Sequence, residues 1–222
     1  MTIIEITRLS VLNGDCRVMD FEQLLAGSAK EHGHLCPGQV IGVRMAILGL
    51  QLIGLENTRD SRDIKKLIVY VEIDRCATDA ISYVTGVKPG RRSLKFKDYG
   101  IMAATFINLD TQKSVRIVST EESRELSKKY APHISDMHKR QLEAYKIMPL
   151  SELFDIYEVS VDIDASDMPG PSAFKAECED CGIIIRDKKE VLTDNRILCH
   201  ECAGLTYYKC LKKIDFQISQ SL

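Results

Sequence analysis

Two Cys-x2-Cys pairs, Cys178/Cys181 and Cys199/Cys202, stand with the 17 residues 182–198 between them. This spacing constrains folding more than any other feature of the chain, because four thiolates close a tetrahedral shell around one ion only if the intervening chain turns back. Ile183 to Ile185 and Arg196 to Leu198 supply two short strands for that return, and a helix is expected from Cys202-Ala203-Gly204 through Lys213. Knuckle, hairpin, knuckle and helix is the order of a treble-clef finger or a ribbon relative. The expected occupant is a structural zinc, although a rubredoxin-like iron uses the same donors. A module of about 40 residues buries too little apolar surface to fold alone, so its metal is expected to supply its folding energy. His200, between two ligands, is read as exposed. No secretory signal is read, and a disulfide framework is therefore not expected.

The second concentrated feature is His32-Gly33-His34-Leu35-Cys36-Pro37-Gly38. Two imidazoles and a thiol crowd the start of a helix, for which Pro37 suits the first turn and the apolar run Val40 to Leu55 supplies the body. Cys36 then falls at the N-cap, where free N–H groups and the positive end of the helix dipole favour a thiolate. Cys76 repeats the arrangement. Leu67 to Ile73 reads as a buried strand, and Asp74 to Ile81 turns from it into a helix that Cys76 opens, with Asp79 three residues on as cap, ligand or proton acceptor. Taken singly, each of these residues has an ordinary role as a small buried side chain, a loop residue or a cap. As a set, taken with the family resemblance given below, they read as a metal or reactive-thiol site; as a metal site it is held through Cys36 and Cys76, with His34 favoured over His32 to complete the shell, and His32 or Asp79 to move protons. Three protein ligands leave a fourth position open, the pattern of a reactive site.

Between these motifs the chain reads as α+β, with mixed helices and a mostly antiparallel sheet. The expected division is a core domain at 1–165, a linker at 166–174 drawn from the polar, Pro/Gly-rich DASDMPGPS region, and the cysteine module at 175–222. Phe21 to Glu31 is a short helix capped by Asp20. Ile101 to Ile107 and Val115 to Val118 form a hairpin. Ser119 to Glu122 offers a capping box for a helix that Pro132 ends, Ser135 starts another, and Val159, Val161 and Ile163 alternate as in a half-buried strand. The central helix carries Gly42, Gly49 and Gly54, which permit close approach of other backbones.

The loop Gly86 to Lys97 holds five basic residues around a Pro-Gly turn. Arg91 and Arg92 can grip a carboxylate or phosphate there, against the simpler role of a solvated basic loop. Tyr99 is a candidate acid or a packed aromatic, and His133 and His138 have no special setting. A net charge of −2 gives no general attraction to nucleic acid or anionic lipid. Residues 175–222 carry eight basic and eight acidic side chains and lack the basic face of a nucleic-acid binder. Residues 1–15 show no signal peptide, and Val40 to Leu55 is interrupted by Arg44 and shorter than the ~20 residues that cross a bilayer. A soluble, cytoplasmic protein is expected.

The chain resembles the E-subunit family of formylmethanofuran dehydrogenase and its stand-alone homologues. The likeness rests on H-G-H-x-C-P-G at His32 to Gly38 with Gly42 and Arg44, D-x-C-x-x-D-A at Asp74 to Ala80, G-x-x-P-G at Gly86 to Gly90, D-Y-G at Asp98 to Gly100, and the two cysteine knuckles. Ile101 departs from the lysine that follows D-Y-G in many members. The resemblance implies a dimeric α+β core whose His and Cys residues line a metal-holding cleft, zinc being the first expectation for that metal, with a treble-clef finger appended. It links the chain to one-carbon metabolism and methanogenesis and, as partners, to a second copy or to other subunits of such a complex. The complete dehydrogenase keeps its pterin and iron–sulfur clusters in other subunits, and after two metal sites too few cysteines remain here for a ferredoxin-type run. Three classes of function follow: a metal-dependent protein acting on a small carbonyl or formyl compound, an accessory docking subunit, and a zinc-finger regulator of nucleic acid.

Overall fold

The computed structural model describes residues 20–56, 58, 59 and 62–214. The stretch 1–15, read above as lacking a signal peptide, lies outside them, as does Cys16. The chain divides into two compact units, Met1–Asp162 and Ile163–Leu222.

The first unit is a five-stranded sheet with helices. Its elements run α1 (Phe21–His32), α2 (Pro37–Leu52), β1 (Leu67–Val71), α3 (Cys76–Thr85), β2 (Leu94–Phe96), β3 (Ala103–Asn108), β4 (Ser114–Ser119), α4 (Glu122–Tyr130), α5 (Met137–Ile147), α6 (Leu150–Leu153) and β5 (Phe154–Glu158). Strand order is β2-β1-β3-β4-β5. β1 and β2 are parallel, with Val69 opposite Leu94, and the other pairs are antiparallel. Helix α2 is apolar nearly all round because it is buried nearly all round: it packs on α1, α3 and α5 and against β3 and β4. Its glycines face inward. A Cβ on Gly49 would meet the Phe106 ring at 2.4 Å, and one on Gly42 would meet Ala77 O at 2.5 Å. Both therefore serve packing within this one chain. Arg44 leaves α2 to donate to the carbonyls of Tyr145 and Met148, tying α2 to the end of α5. The buried Glu72 receives a bidentate bridge from Arg116, both contacts 2.7 Å, which joins the end of β1 to β4.

Several expectations shift. Glu121 precedes α4 in a helical conformation and no side chain caps that helix, so Ser119 to Glu122 is not a capping box; the Ser123 hydroxyl donates to Thr120 O instead. α5 is capped by Asp136, which accepts from Lys139 N at 2.8 Å, and not by Ser135. Burial does alternate over 159–163, but the last strand is Phe154–Glu158, and only Val159 N reaches on to Ser114 O.

The second unit consists of two small hairpins, β6 (Lys175–Glu177) with β7 (Ile184–Arg186) and β8 (Val191–Thr193) with β9 (Arg196–Leu198). Asp194 and Asn195, at φ 49° and 60°, form the tight β8–β9 turn, where both central residues must be left-handed to match strand twist. Residues 203–213 form turns and irregular chain where a helix was expected. Gly204, at φ 70°, breaks the helical path two residues after Cys202, where it would have begun, and its N–H closes a turn on Glu201 O. The stretch before β6 is tied to this unit by Lys188–Asp164 and Lys189–Asp167 contacts of 3.6 and 3.5 Å.

Candidate metal centres

Three helix ends converge in the first unit. His32 is the last residue of α1, Cys36 the N-cap of α2 and Cys76 the first residue of α3. Gly33 makes the convergence possible: at φ 98° it takes the left-handed cap that ends α1 and reverses the chain. Gly38 lets the helices meet, since a Cβ there would lie 2.9 Å from Cys76 Cβ. One nitrogen of His32 and the sulfurs of Cys36 and Cys76 all lie within 4.8 Å of one another.

The orientation of His32 is fixed from behind. Its Nδ1 lies 2.8 Å from Asp79 Oδ2, and Nε2 is buried with no hydrogen-bond partner among the described residues. A carboxylate on Nδ1 sets the proton there and leaves the Nε2 lone pair free, which is how a metal-ligating histidine is held. An unsatisfied buried nitrogen beside two thiols is costly unless something binds it, and soft S and N donors suit a zinc-like ion. The residues therefore fit a metal. His34, favoured by sequence reasoning, is exposed and stands with its ring 4.7 Å from that of His32. The Asp79 side chain is 65% exposed. The Cys76 thiol is pushed up, first by burial and then by the neighbouring Cys36. Two thiolates in contact repel, and a cation between them relieves that repulsion.

Sequence reasoning missed Gln39. Fully buried, it accepts from the Ser28 hydroxyl and donates through Nε2 to Cys76 O at 2.6 Å, so it pins the first turn of α3 to α1 and α2. A polar residue two places after Pro37 in an otherwise apolar helix was the available signal.

The remaining candidates lie elsewhere. Tyr99 is 65% exposed on the loop after β2; its backbone N–H reaches Glu72 O, and its hydroxyl has no hydrogen bond among the described residues. Arg91 is exposed in the turn Pro89–Arg91, and Arg92 follows half-buried at φ 59°. His133, His138 and His200 are exposed.

In the second unit Cys178, Cys181, Cys199 and Cys202 place their sulfurs within 4.8 Å of one another. The first pair spans the turn from β6 to β7, closed by Gly182 N to Cys178 O, and the second follows β9, closed by Ala203 N to Cys199 O. Burial pushes the Cys178 thiol up, but the backbone N–H groups of Cys199, Cys181 and Asp180 outweigh it and bring it down to about 6. Cys202 is pushed up, by the thiols of Cys199 and Cys181 before burial. Four thiols this close do not all ionise against one another, and a divalent cation would supply the missing charge.

An α+β core with a thiol–imidazole cluster, joined to a four-cysteine module, defines a metal-binding protein with a small zinc-type appendage. The family profile described as "FmdE, Molybdenum formylmethanofuran dehydrogenase operon" matches residues 31–155, more than half of the chain, and the chain belongs to that family. A "Probable S-adenosyl-L-methionine-binding protein" of Archaeoglobus fulgidus is 27% identical over 204 residues, 84% of this chain and 54% of the relative, so the chain spans about half of that protein's length. Among solved structures, a tungsten formylmethanofuran dehydrogenase FmdE-like protein from Syntrophus aciditrophicus shares the fold. It matches with a TM-score of 0.56 at 16% identity, over 85% of this chain and 95% of that one. No helix among the described residues is long and apolar enough to cross a membrane.

Proposed function

We propose that the chain is a cytoplasmic metal protein of one-carbon metabolism that binds a small carbonyl or formyl compound at a zinc-type centre formed by His32, Cys36 and Cys76, with a second, structural zinc in the four-cysteine module. The observation that carries this reading is the buried Nε2 of His32, without a partner among the described residues and held beside two thiols by Asp79. When bound, a divalent metal supplies Lewis-acid polarisation of a carbonyl oxygen, and three protein donors leave it a position to do so. The chain's own contribution is positional. Asp79 keeps the Nδ1 proton of His32 and, being exposed, can exchange protons with a ligand that arrives from solvent. Hydrolysis, proton transfer or group transfer fits these residues. The carbon dioxide redox step belongs to other subunits, because Cys16 and Cys210 are the only cysteines outside the two centres.

A second reading makes the chain an accessory subunit, and the operon named in the family description favours it. In either case we propose a homodimer built on the core. Elemental analysis tests the centre: the Cys36→Ser/Cys76→Ser variant should fall from two metal equivalents per chain to one, and an unchanged stoichiometry refutes the site. Light scattering tests the dimer. Formyl-donor turnover by the isolated chain separates enzyme from accessory subunit, and S-adenosyl-L-methionine, named for the Archaeoglobus relative, is titrated alongside.

A further inference from the structure

A cleft of about 180 Å³ lies against the first unit, lined among others by Glu31, Arg59, Ser82, Tyr83, Lys88 and Arg91. Its walls are set by close packing. A Cβ on Gly27 of α1 would fall 1.8 Å from the Tyr83 hydroxyl, so Tyr83 seals α3 onto α1; a Cβ on Gly86 would fall 2.8 Å from Arg59 Cα. Arg59 lies with its guanidinium 3.8 Å from the centre of the Tyr83 ring. Held over the ring in this way it is pre-ordered, and a guanidinium offers several N–H donors to a planar or tetrahedral oxyanion. Neither Arg59 nor Arg91 has a carboxylate partner among the described residues, whereas Lys88 sits 3.3 Å from Glu31. Among the described residues that line the cleft, three cations face one carboxylate, an excess of two positive charges.

We propose that this cleft is a subsite for the dianionic oxyanion head group of a small molecule, a phosphate monoester or a dicarboxylate, gripped by Arg59 and Arg91 with Lys88 turning to it from Glu31. The volume favours a head group alone, since pockets that enclose whole ligands run to about 300–1,000 Å³. Two guanidiniums without a carboxylate among the described residues fit an anion better than any apolar or cationic ligand. The position ties the subsite to the helix pair of the core centre: Glu31 adjoins His32, and Ser82 and Tyr83 lie on the helix that Cys76 opens. The binding itself needs no metal and so stands apart from the proposal for that centre.

Calorimetric titration of the full, metal-loaded chain at low ionic strength and about pH 8, with inorganic phosphate, succinate and acetate as probes, decides the matter. Saturable binding of at least one dianion is expected, with acetate about tenfold weaker or worse; stronger phosphate binding assigns a phosphate ester and stronger succinate binding a dicarboxylate. Arg91→Ala should weaken the dianion by about tenfold or more, the loss typical of one charge-assisted contact. Arg59→Lys, which keeps the charge and loses the fork, should also weaken it, and Glu31→Gln should tighten it. The Cys36→Ser/Cys76→Ser variant should bind unchanged. No saturable dianion binding, equal binding of acetate, wild-type affinity in Arg91→Ala or Arg59→Lys, weaker binding in Glu31→Gln, or loss of binding in the double cysteine variant would overturn the proposal.

Discussion

Replacing Gly42 by alanine tests how the helices that open at Cys36 and Cys76 are held together. A Cβ at this position would lie 2.5 Å from Ala77 O, 2.7 Å from Ala80 Cβ and 2.8 Å from Ala77 Cα. Two of these three atoms are backbone of α3, so no side-chain rotation relieves them, and α3 must move as a body to reach the 3.5–4.0 Å of ordinary carbon contacts. Overpacking of this kind costs about 1–3 kcal/mol, here toward the upper end. Against it stands the helix preference of Ala over Gly, about 1 kcal/mol in a helix interior. The net loss is about 1–2 kcal/mol, or roughly 2–8 °C in melting temperature for a unit of this size. Ala77 is the neighbour of Cys76, so the same displacement separates the two thiols. Urea unfolding of the core unit, paired with retention of its metal against a competing chelator, should show both losses. A Gly42→Ala protein as stable as the parent or more so, as helix propensity alone demands, would refute the close-packing argument. Gly90→Ala, with nothing within 4 Å of the new Cβ, should stay within about 0.5 kcal/mol.

Asp79→Asn should lower the affinity of the core centre for zinc by about 10–100-fold, the usual cost of losing the carboxylate behind a ligating histidine, while His34→Ala should change it little; competition with a chromophoric chelator reads both. Chelation under native conditions should unfold the four-cysteine unit and leave the far-UV signal of the core helices, and rapid reaction of all four cysteines with a thiol reagent before chelation would contradict a closed shell. Asp164 is held below its ordinary 3.8, first by the Ser166 side chain and backbone, with Lys188 adding to the effect. Its contribution to the second unit is therefore complete above about pH 4 and lost as pH falls through the lower folded value, which a carboxyl-resolved NMR titration of the full chain against Asp164→Asn will show.

The elements legible in the sequence were those whose cause is local. β1 announces itself as an unbroken apolar run and β3 as a mainly apolar one, broken by Thr105 and closed by Asn108, because they are central strands, buried throughout β3 and at four of the five residues of β1. β2 was not legible: Leu94-Lys95-Phe96 sits within a basic loop, and its strand character comes from the exposed edge of β1, to which it adds in parallel. β5 was displaced for a related reason. Its residues 155–158 are exposed, so the half-buried pattern that a strand search seeks appears only beyond its end, at 159–163. The expected helix after Cys202 failed because the left-handed Gly204 turns the chain away inside its first turn.

The two centres differ in the same respect. Within each knuckle of the second unit the cysteines stand three residues apart, and the chain between the pairs is short, so spacing alone pointed to the four whose sulfurs the structure brings together. The candidate core cluster brings together residues 32, 36 and 76, through the crossing of α2 on α3 at Gly38 and Gly42. A sequence shows that such a crossing is permitted but not which side chain it leaves facing inward. Which of His32 and His34 faces the two thiols turns on one residue. Gly33 as the left-handed cap of α1 keeps His32 in the last helical turn, directed at Asp79, and throws His34 outward. Read as a helix-terminating glycine, Gly33 would have favoured His32, since a ligand carried on a helix is held more rigidly than one on the loop beyond it.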